Sequence, residues 1–356
     1  MITITPTHHN YLSNDLKETF LGKYISILDY NKIPYNVVPY FNQSEFWESI
    51  SKSSHFIARY RGSEKDLSLM QAVLPEIERN GLKALPNFNT AYHCGDKSKL
   101  SAFYKANKII HPNTLIFWEV IHLKEAIEKN LISFPVIVKL RKGAASTNVI
   151  KVYTAHQLIR LATKMFQKGV KPGMLEEAAF GNFYINKLFI KWLFKPNKNN
   201  LKNIRYKLHY IKENDFREIE SSCVIVQEFY PKNNFDTRVT IIGNRAFAFR
   251  RFNRPDDFRA SGSGMIDYNP QKIDLKMIEI AFEVSNKFGF QTMAYDFIYN
   301  LEGEPTILEH NFTYIDKAVA ACPVFWDQNL NTYPNNNRLP QYWQLVDFLN
   351  DDKLKF

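Results

Sequence analysis

Short apolar runs and helically spaced apolar positions alternate along this chain. Lys32 to Val38 and Phe56 to Arg59 read as strands, and Leu67 to Arg79 places apolar residues on one helical face. Residues 1–90 therefore read as a small α/β domain. From 91 to 226, helical spacing recurs at Lys97 to Ala106 and Leu123 to Lys129, and apolar strands at Phe134 to Lys139 and Val149 to Tyr153. The last part, 227–356, begins with Val239 to Ile242 and Ala246 to Arg251, long enough for central strands. The helix Asp274 to Phe288 follows, then two strand-like segments, Tyr295 to Tyr299 and Ile307 to Asn311. No internal repeat or low-complexity tract stands out. The fold class read from this pattern is α/β in three parts.

The last two segments carry chemistry. Asn300-Leu-Glu-Gly303 between them is turn-forming, so they fold back as a hairpin. Side chains two apart on a strand project to the same face, so Glu309 and Asn311 share one, and an antiparallel partner brings Asp296 beside them. Three hard oxygen donors suit Mg²⁺, with Mn²⁺ as an alternative, because such ions take oxygen ligands and keep positions for water or phosphate. A solvated hairpin with no ligand is the competing reading.

Lys139 ends an apolar strand and precedes Leu140-Arg-Lys-Gly-Ala-Ala-Ser-Thr-Asn148. Small and hydroxylated residues, among them Ser146, let backbone N–H groups approach phosphate oxygens, and Lys139 and Lys142 add charge. Cys223 to Val226 leads into Gln227-Glu228-Phe229-Tyr230, which offers backbone groups to a base edge and aromatic surface to its ring. Asp236, in Phe235-Asp-Thr-Arg-Val, can accept from ribose hydroxyls. This order of a lysine strand, a small-residue loop, Gln-Glu-Phe, Asp-x-Arg, then Asp with Glu-x-Asn resembles the ATP-grasp superfamily. The branch it is most similar to contains glutathione synthetase and the glutamate ligases that modify ribosomal proteins. Upstream, His55 to Gly62, Leu74 to Gly81, Pro86-Asn87, Asp96-Lys97 and His111 to Thr114 extend the resemblance to most of the chain.

The resemblance implies an ATP-grasp fold: an N-terminal α/β domain, with nucleotide bound between a middle and a C-terminal domain. It implies ATP and Mg²⁺ as cofactors, with Lys97 and Lys139 on phosphate and Asp296, Glu309 and Asn311 on the metal. The implied reaction joins a carboxylate to an amine. An ionised carboxylate is a poor electrophile, so ATP first converts it to an acyl phosphate, which the amine displaces. Both steps pass through anionic transition states that call for fixed positive charge. Arg251 and Arg259 resemble the branch's arginines at that position, with Arg250 an alternative to Arg251, and five arginines between 245 and 259 favour anion handling. Arg59 and Arg61 follow a strand end where the family places substrate-facing groups. Ala294 stands where D-alanine:D-alanine ligases carry arginine, which argues against that activity. The substrates expected are a small carboxylate and amine, or a peptide or cell-surface precursor. A kinase acting on a sugar or inositol-like alcohol, and a non-catalytic anion-binding protein, are the alternatives.

Composition changes this picture in one place. The 356 residues carry 46 Lys and Arg against 36 Asp and Glu, a formal charge of +10. Eight of those cations lie between 181 and 212, where there is no Asp or Glu and aromatics such as Phe189 and Trp192 are interleaved. This reads as an insert in the middle domain that either packs its aromatics inward or meets an anionic partner. Three scattered cysteines fit reduced thiols better than a disulfide framework. Met1 to Asn10 lacks a basic region followed by an apolar stretch, and the apolar run Ala318 to Trp326 is too short to span a bilayer. A cytoplasmic location is therefore expected.

Overall fold

The structure, a computed structural model, describes residues 1–6, 19–60, 64–93, 95–142, 148–171, 173–180, 219–255 and 257–356. Arg61, Ser146 and the basic segment 181–212 lie outside the described residues. The chain divides into two compact units, one formed by 1–95 with 232–356 and the other by 96–231.

The first unit opens with strands β1 (Ile2–Thr5), β2 (Tyr35–Val37), β3 (His55–Ala58) and β4 (Lys83–Leu85). They form a parallel sheet in the order β2-β1-β3-β4. Between them run helices α1 (Phe20–Tyr30), α2 (Gln43–Ser51) and α3 (Glu64–Arg79), and α4 (Phe88–Ala91) follows. Thr19 caps α1 by accepting from the Gly22 N–H at 3.0 Å. Leu21, Tyr24, Ile25 and Leu28 give this helix a buried stripe. β2 is shorter than the apolar run around it, because Lys32 adopts φ 55° and Pro34 cannot donate to a ladder.

In the second unit, helix α5 (Lys97–Ala106) begins on Asp96, whose carboxylate caps the Ser98 and Lys99 N–H groups. Strand β5 (Thr114–Phe117), helix α6 (Val120–Glu128), strands β6 (Val136–Lys139) and β7 (Val149–Val152), helices α7 (Ala155–Lys168) and α8 (Leu175–Phe180), and strand β8 (Val224–Glu228) follow. The strands make an antiparallel sheet in the order β5-β8-β6-β7. Val136, Val138, Ile150, Val152, Val224 and Val226 share a core with Leu158, Leu161, Ala162 and Met165 of α7. The opposite face carries Lys139, Lys151, Gln227 and Thr114, by the two-residue alternation.

The chain then completes the first unit. Strands β9 (Phe235–Ile242), β10 (Arg245–Phe252), β11 (Ile266–Asp267), β12 (Thr292–Tyr299), β13 (Pro305–Asn311), β14 (Val324–Trp326) and β15 (Thr332–Pro334) form one sheet. Its order is β13-β12-β9-β10-β14-β15, with β11 also on β10. Helix α9 (Leu275–Phe288), capped by Asp274 and ended by Gly289 at φ 63°, precedes β12. Ser285 of α9 is hydrogen-bonded to the buried Tyr295 hydroxyl at 2.7 Å. Helix α10 (Asp316–Ala320) follows β13. Helix α11 (Pro340–Leu349) shares a core with β1, β3 and α1 through Tyr342, Leu345, Val346 and Phe348. Among the described residues no helix is long and apolar enough to cross a membrane.

Candidate functional site

The hairpin of β12 and β13 forms where its turn residues place it. Asn300 accepts from the Glu302 and Glu304 N–H groups, and Gly303 takes φ 83°, which favours glycine. Asp296 lies opposite Glu309, and Ala294 opposite Asn311. Directly opposed residues share a face, so Asp296, Glu309 and Asn311 all project from the same side of the sheet. The register shifts by one residue just beyond Asp296 and Glu309, where Phe297 pairs with Ile307 and Leu308 is bulged out.

On the same face the adjoining strands extend a polar row. Asp296 faces Arg238 on β9, and Asp236, two residues earlier, faces Arg251 on β10. Arg238 Nε and Nη2 donate to Asp296 Oδ1 and Oδ2 at 2.7 and 2.8 Å. Arg251 Nη2 reaches Asp296 Oδ2 at 2.9 Å, and its Nε and Nη2 donate to Asp236 at 2.7 Å each. Two carboxylates and two guanidinium groups are thus held in one chain, buried at Asp236 and Arg251 and half-buried at Asp296 and Arg238. Burial alone would raise the Asp296 carboxyl, but Arg238 and Arg251 outweigh it and hold it well below the usual carboxylate range. Asp236 behaves oppositely: burial, opposed by Arg251 and reinforced by the Asp296 charge, pushes it up to about 6.

Several sequence-selected residues of this unit are engaged within the chain. Asp236, read as a ribose acceptor, faces Arg251. Arg251 itself spans Asp236 and Asp296. Arg259 is bound by Asp257 through Nε at 2.9 Å to both oxygens and Nη2 at 2.7 Å. Burial opposes ionisation of Asp257, but the Arg259 bonds hold it below its ordinary range. The other arginines of the 245–259 cluster are also engaged: Arg245 with Asp347, Arg250 with Asp267, and Arg254 with the Ser261 carbonyl. Arg59 donates to the carbonyls of Phe312 and Tyr314. Asn311 Oδ1 accepts from the Thr313 N–H at 2.9 Å and its hydroxyl at 2.8 Å. Arg238 enters the sequence reading only as the arginine of Asp-x-Arg, with no role of its own. Its signal was its place two residues after Asp236, on the same strand face.

In the second unit, Lys139 is 7% exposed and sits in register with Val149 and Ile225. Lys97 begins α5, its N–H donating to the Arg141 carbonyl at 3.0 Å, and Lys142 is half-buried. Gln227 Nε2 donates to Thr114 Oγ1 at 2.9 Å inside the sheet, so its side chain is turned to β5. The Glu228 N–H donates to the Asn113 carbonyl, and β8 ends there. Lys151, likewise given no role in the sequence reading, places its ammonium 4.1 Å from the centre of the Phe229 ring.

The donor set suits a hard cation. Asp296 is ionised, Glu309 is a second carboxylate, and Asn311 adds an amide oxygen on the same face. Among the described residues no group of three or more His, Cys, Asp or Glu side chains is arranged for metal. The set here is two acids with an amide.

No protein-family model matches the chain, and no curated protein sequence matches it. Solved structures do. D-cycloserine synthetase DcsG matches with TM-score 0.54 and 13% identity over 100% of both chains. A RimK domain ATP-grasp protein from Sphaerobacter thermophilus gives TM-score 0.51 and 12% identity over 98% of this chain and 100% of that one. D-alanine--D-alanine ligase from Bacillus anthracis, complexed with ATP, gives TM-score 0.52 and 14% identity over 87% of this chain and 85% of that one. With the motif order and the hairpin geometry, these likenesses identify the fold of this chain as that of the ATP-grasp superfamily.

Proposed function

We propose that this chain is an ATP-dependent carboxylate–amine ligase working through an acyl phosphate. The observation that carries the reading is that Asp296, Glu309 and Asn311 stand on one face of the β12–β13 hairpin. The ligases among its structural neighbours support it. In this reading residues 1–90, 91–226 and 227–356 act as N-terminal, middle and C-terminal parts of the ATP-grasp architecture. Lys97, Lys139 and Lys142 hold phosphate oxygens as point charges, and Phe229 and Tyr230 offer backbone and ring to the base. Asp296, Glu309 and Asn311 would hold Mg²⁺, which when bound neutralises charge on the phosphates.

The arginines divide the remaining work. Arg238 and Arg251 hold Asp296 in one orientation and keep it ionised, so that its charge does not vary near neutral pH. Arg259, on the loop after β10, is the cation proposed to meet the acyl phosphate; there it would exchange Asp257 for the anion. The carboxylate substrate is a small molecule or a peptide precursor. The structural neighbour PsnB is an ATP-grasp ligase solved with a minimal precursor, at TM-score 0.52 and 13% identity, so a precursor is the class to test first.

The deciding experiment follows ATP turnover with pooled amino acids, carboxylates and peptides, reading phosphate release and product mass together. A ligase releases free phosphate and yields a condensed product. A phosphorylated product without free phosphate means a kinase. Glu309→Ala and Asn311→Ala are expected to abolish turnover while leaving the melting temperature nearly unchanged. Normal turnover in both removes the metal assignment.

A further inference from the structure

Arg59 leaves the end of β3 and reaches the segment that follows β13. Its Nη1 donates to the Phe312 carbonyl at 3.5 Å and its Nη2 to the Tyr314 carbonyl at 3.1 Å. The guanidinium lies 3.7 Å from the centre of the Phe20 ring. The fork thus clasps the backbone on both sides of Thr313. Thr313 in turn donates its N–H and its hydroxyl to Asn311 Oδ1.

The same segment is pinned from other directions. The Tyr314 hydroxyl is hydrogen-bonded to Thr292 at 3.0 Å and accepts from Gln344 of α11 at 3.1 Å. Gln344 also accepts from the Tyr24 hydroxyl of α1 at 2.5 Å. Asp316 accepts from Lys23 of α1 at 2.5 Å and from Gln341 of α11 at 2.9 Å. These contacts hold residues 314 to 316. Arg59 reaches the carbonyl of Phe312, next to Asn311.

We propose that Arg59 is a positioning residue for the divalent cation, acting through Thr313, which holds the Asn311 side chain; ligation by Asn311 Oδ1 would replace the Thr313 hydroxyl bond and keep the one from its N–H. The inference rests on the metal reading proposed above and departs from a substrate-facing role for Arg59. Arginine is needed because a planar fork reaches two carbonyls and stacks on an aromatic ring at once, which an ammonium cannot do. Groups that orient a metal ligand commonly govern affinity as strongly as a weak ligand does.

The test titrates Mn²⁺ into the full-length protein saturated with ADP, with free Mn²⁺ read by electron paramagnetic resonance. The set comprises wild type, Arg59→Met, Arg59→Lys, Asn311→Ala and the double variant Arg59→Met/Asn311→Ala. Arg59→Met is expected to weaken Mn²⁺ binding about tenfold, with affinity for metal-free ADP unchanged. In the Asn311→Ala background it should add no further loss. Arg59→Lys keeps the charge but not the fork, so it should fail to restore affinity; it also supplies the comparison if Arg59→Met does not fold. Wild-type Mn²⁺ affinity in both Arg59 variants, or a loss that adds in full to that of Asn311→Ala, overturns the proposal. If Asn311→Ala itself binds Mn²⁺ normally, the metal reading falls and this inference with it. If only the Arg59 variants are normal, the metal reading stands and Arg59 loses its role.

Discussion

The two antiparallel sheets solve the same problem differently. Each buries an apolar face, and on the other each sets polar groups beside further apolar residues, Phe247 and Phe249 in the larger sheet and Ile137 and Ile225 in the smaller. In the larger sheet a row on that face is paired within itself: Arg238 and Arg251 alternate with Asp236 and Asp296 through bonds of 2.7 to 2.9 Å. In the smaller sheet it carries Lys139, Lys151, Gln227 and Thr114, and the four strands contain one acidic residue, Glu228, at the end of β8. A balanced network fixes geometry, because moving any member strands its partner's charge. A face whose own strands bring cations without carboxylates is suited to an anion that comes and goes. In the reading proposed above, the larger sheet supplies position and the smaller receives the anion.

Removing one charge from the balanced row should have the largest effect. Asp296→Asn leaves Arg238 without its partner and Arg251 with one carboxylate, and should cost about 3–5 kcal/mol of stability in denaturant unfolding. A loss below about 1 kcal/mol would mean the row is not a coupled network. In the smaller sheet the same kind of change should spare the fold. Lys139→Ala is expected to leave stability within about 1 kcal/mol of wild type, yet to weaken ATP binding by about 2 kcal/mol or more in calorimetric titration. Full ATP affinity in that variant would dissolve the contrast between the sheets.

A smaller effect separates the two carboxylates of the row. Asp236 is pushed up to about 6, so between its ordinary value and pH 6 the folded chain holds a proton that the unfolded chain has lost. That contribution to stability falls as pH rises through this window. For Asp296, held low, the contribution is present above the ordinary carboxylate value and is lost as pH falls. Asp236→Asn should therefore gain on wild type, by on the order of 1–2 kcal/mol, as pH rises from 4 to 7. A difference that shrinks with rising pH would reverse the assignment. The smallest expected effect concerns thiols. Burial pushes Cys223 up to about 11 and Cys322 up to about 12, so both should resist alkylation at pH 8 until the chain unfolds, read peptide by peptide in mass spectra. Fast labelling of either in the native chain would place it at an open surface.

What the sequence disclosed was local or ordered along the chain. The hairpin was legible because Asn300 to Gly303 is turn chemistry, and the fold because its motifs occur in a recognisable order. Helix α7 was equally legible, with Leu158, Leu161, Ala162 and Met165 on one face, but was not singled out. Strand β1 was harder. Ile-Thr-Ile-Thr alternates like a half-exposed strand, yet all four residues are buried, because Thr3 is hydrogen-bonded to Ser49 and Ser53 and Thr5 donates to the Val38 carbonyl. Partners far along the chain were out of reach. That Asp236 meets Arg251, or that Arg59 meets a backbone some 250 residues away, follows from strand register and tertiary packing.

The bulge at Leu308 has a consequence for how this gene can change length. Glu309 and Ile307 are two apart and would ordinarily project together, yet the extra residue sends Glu309 to the face of Asp296 and Ile307 to that of Phe297. Loss of a single codon at this point would put either the acid or the isoleucine on the wrong side of the sheet. Added residues at the exposed Leu301 to Glu304 tip would disturb neither. Natural relatives should therefore vary in length at the tip and hold a fixed count from Pro305 to Asn311, a constraint that a library of single-codon insertions and deletions would expose directly.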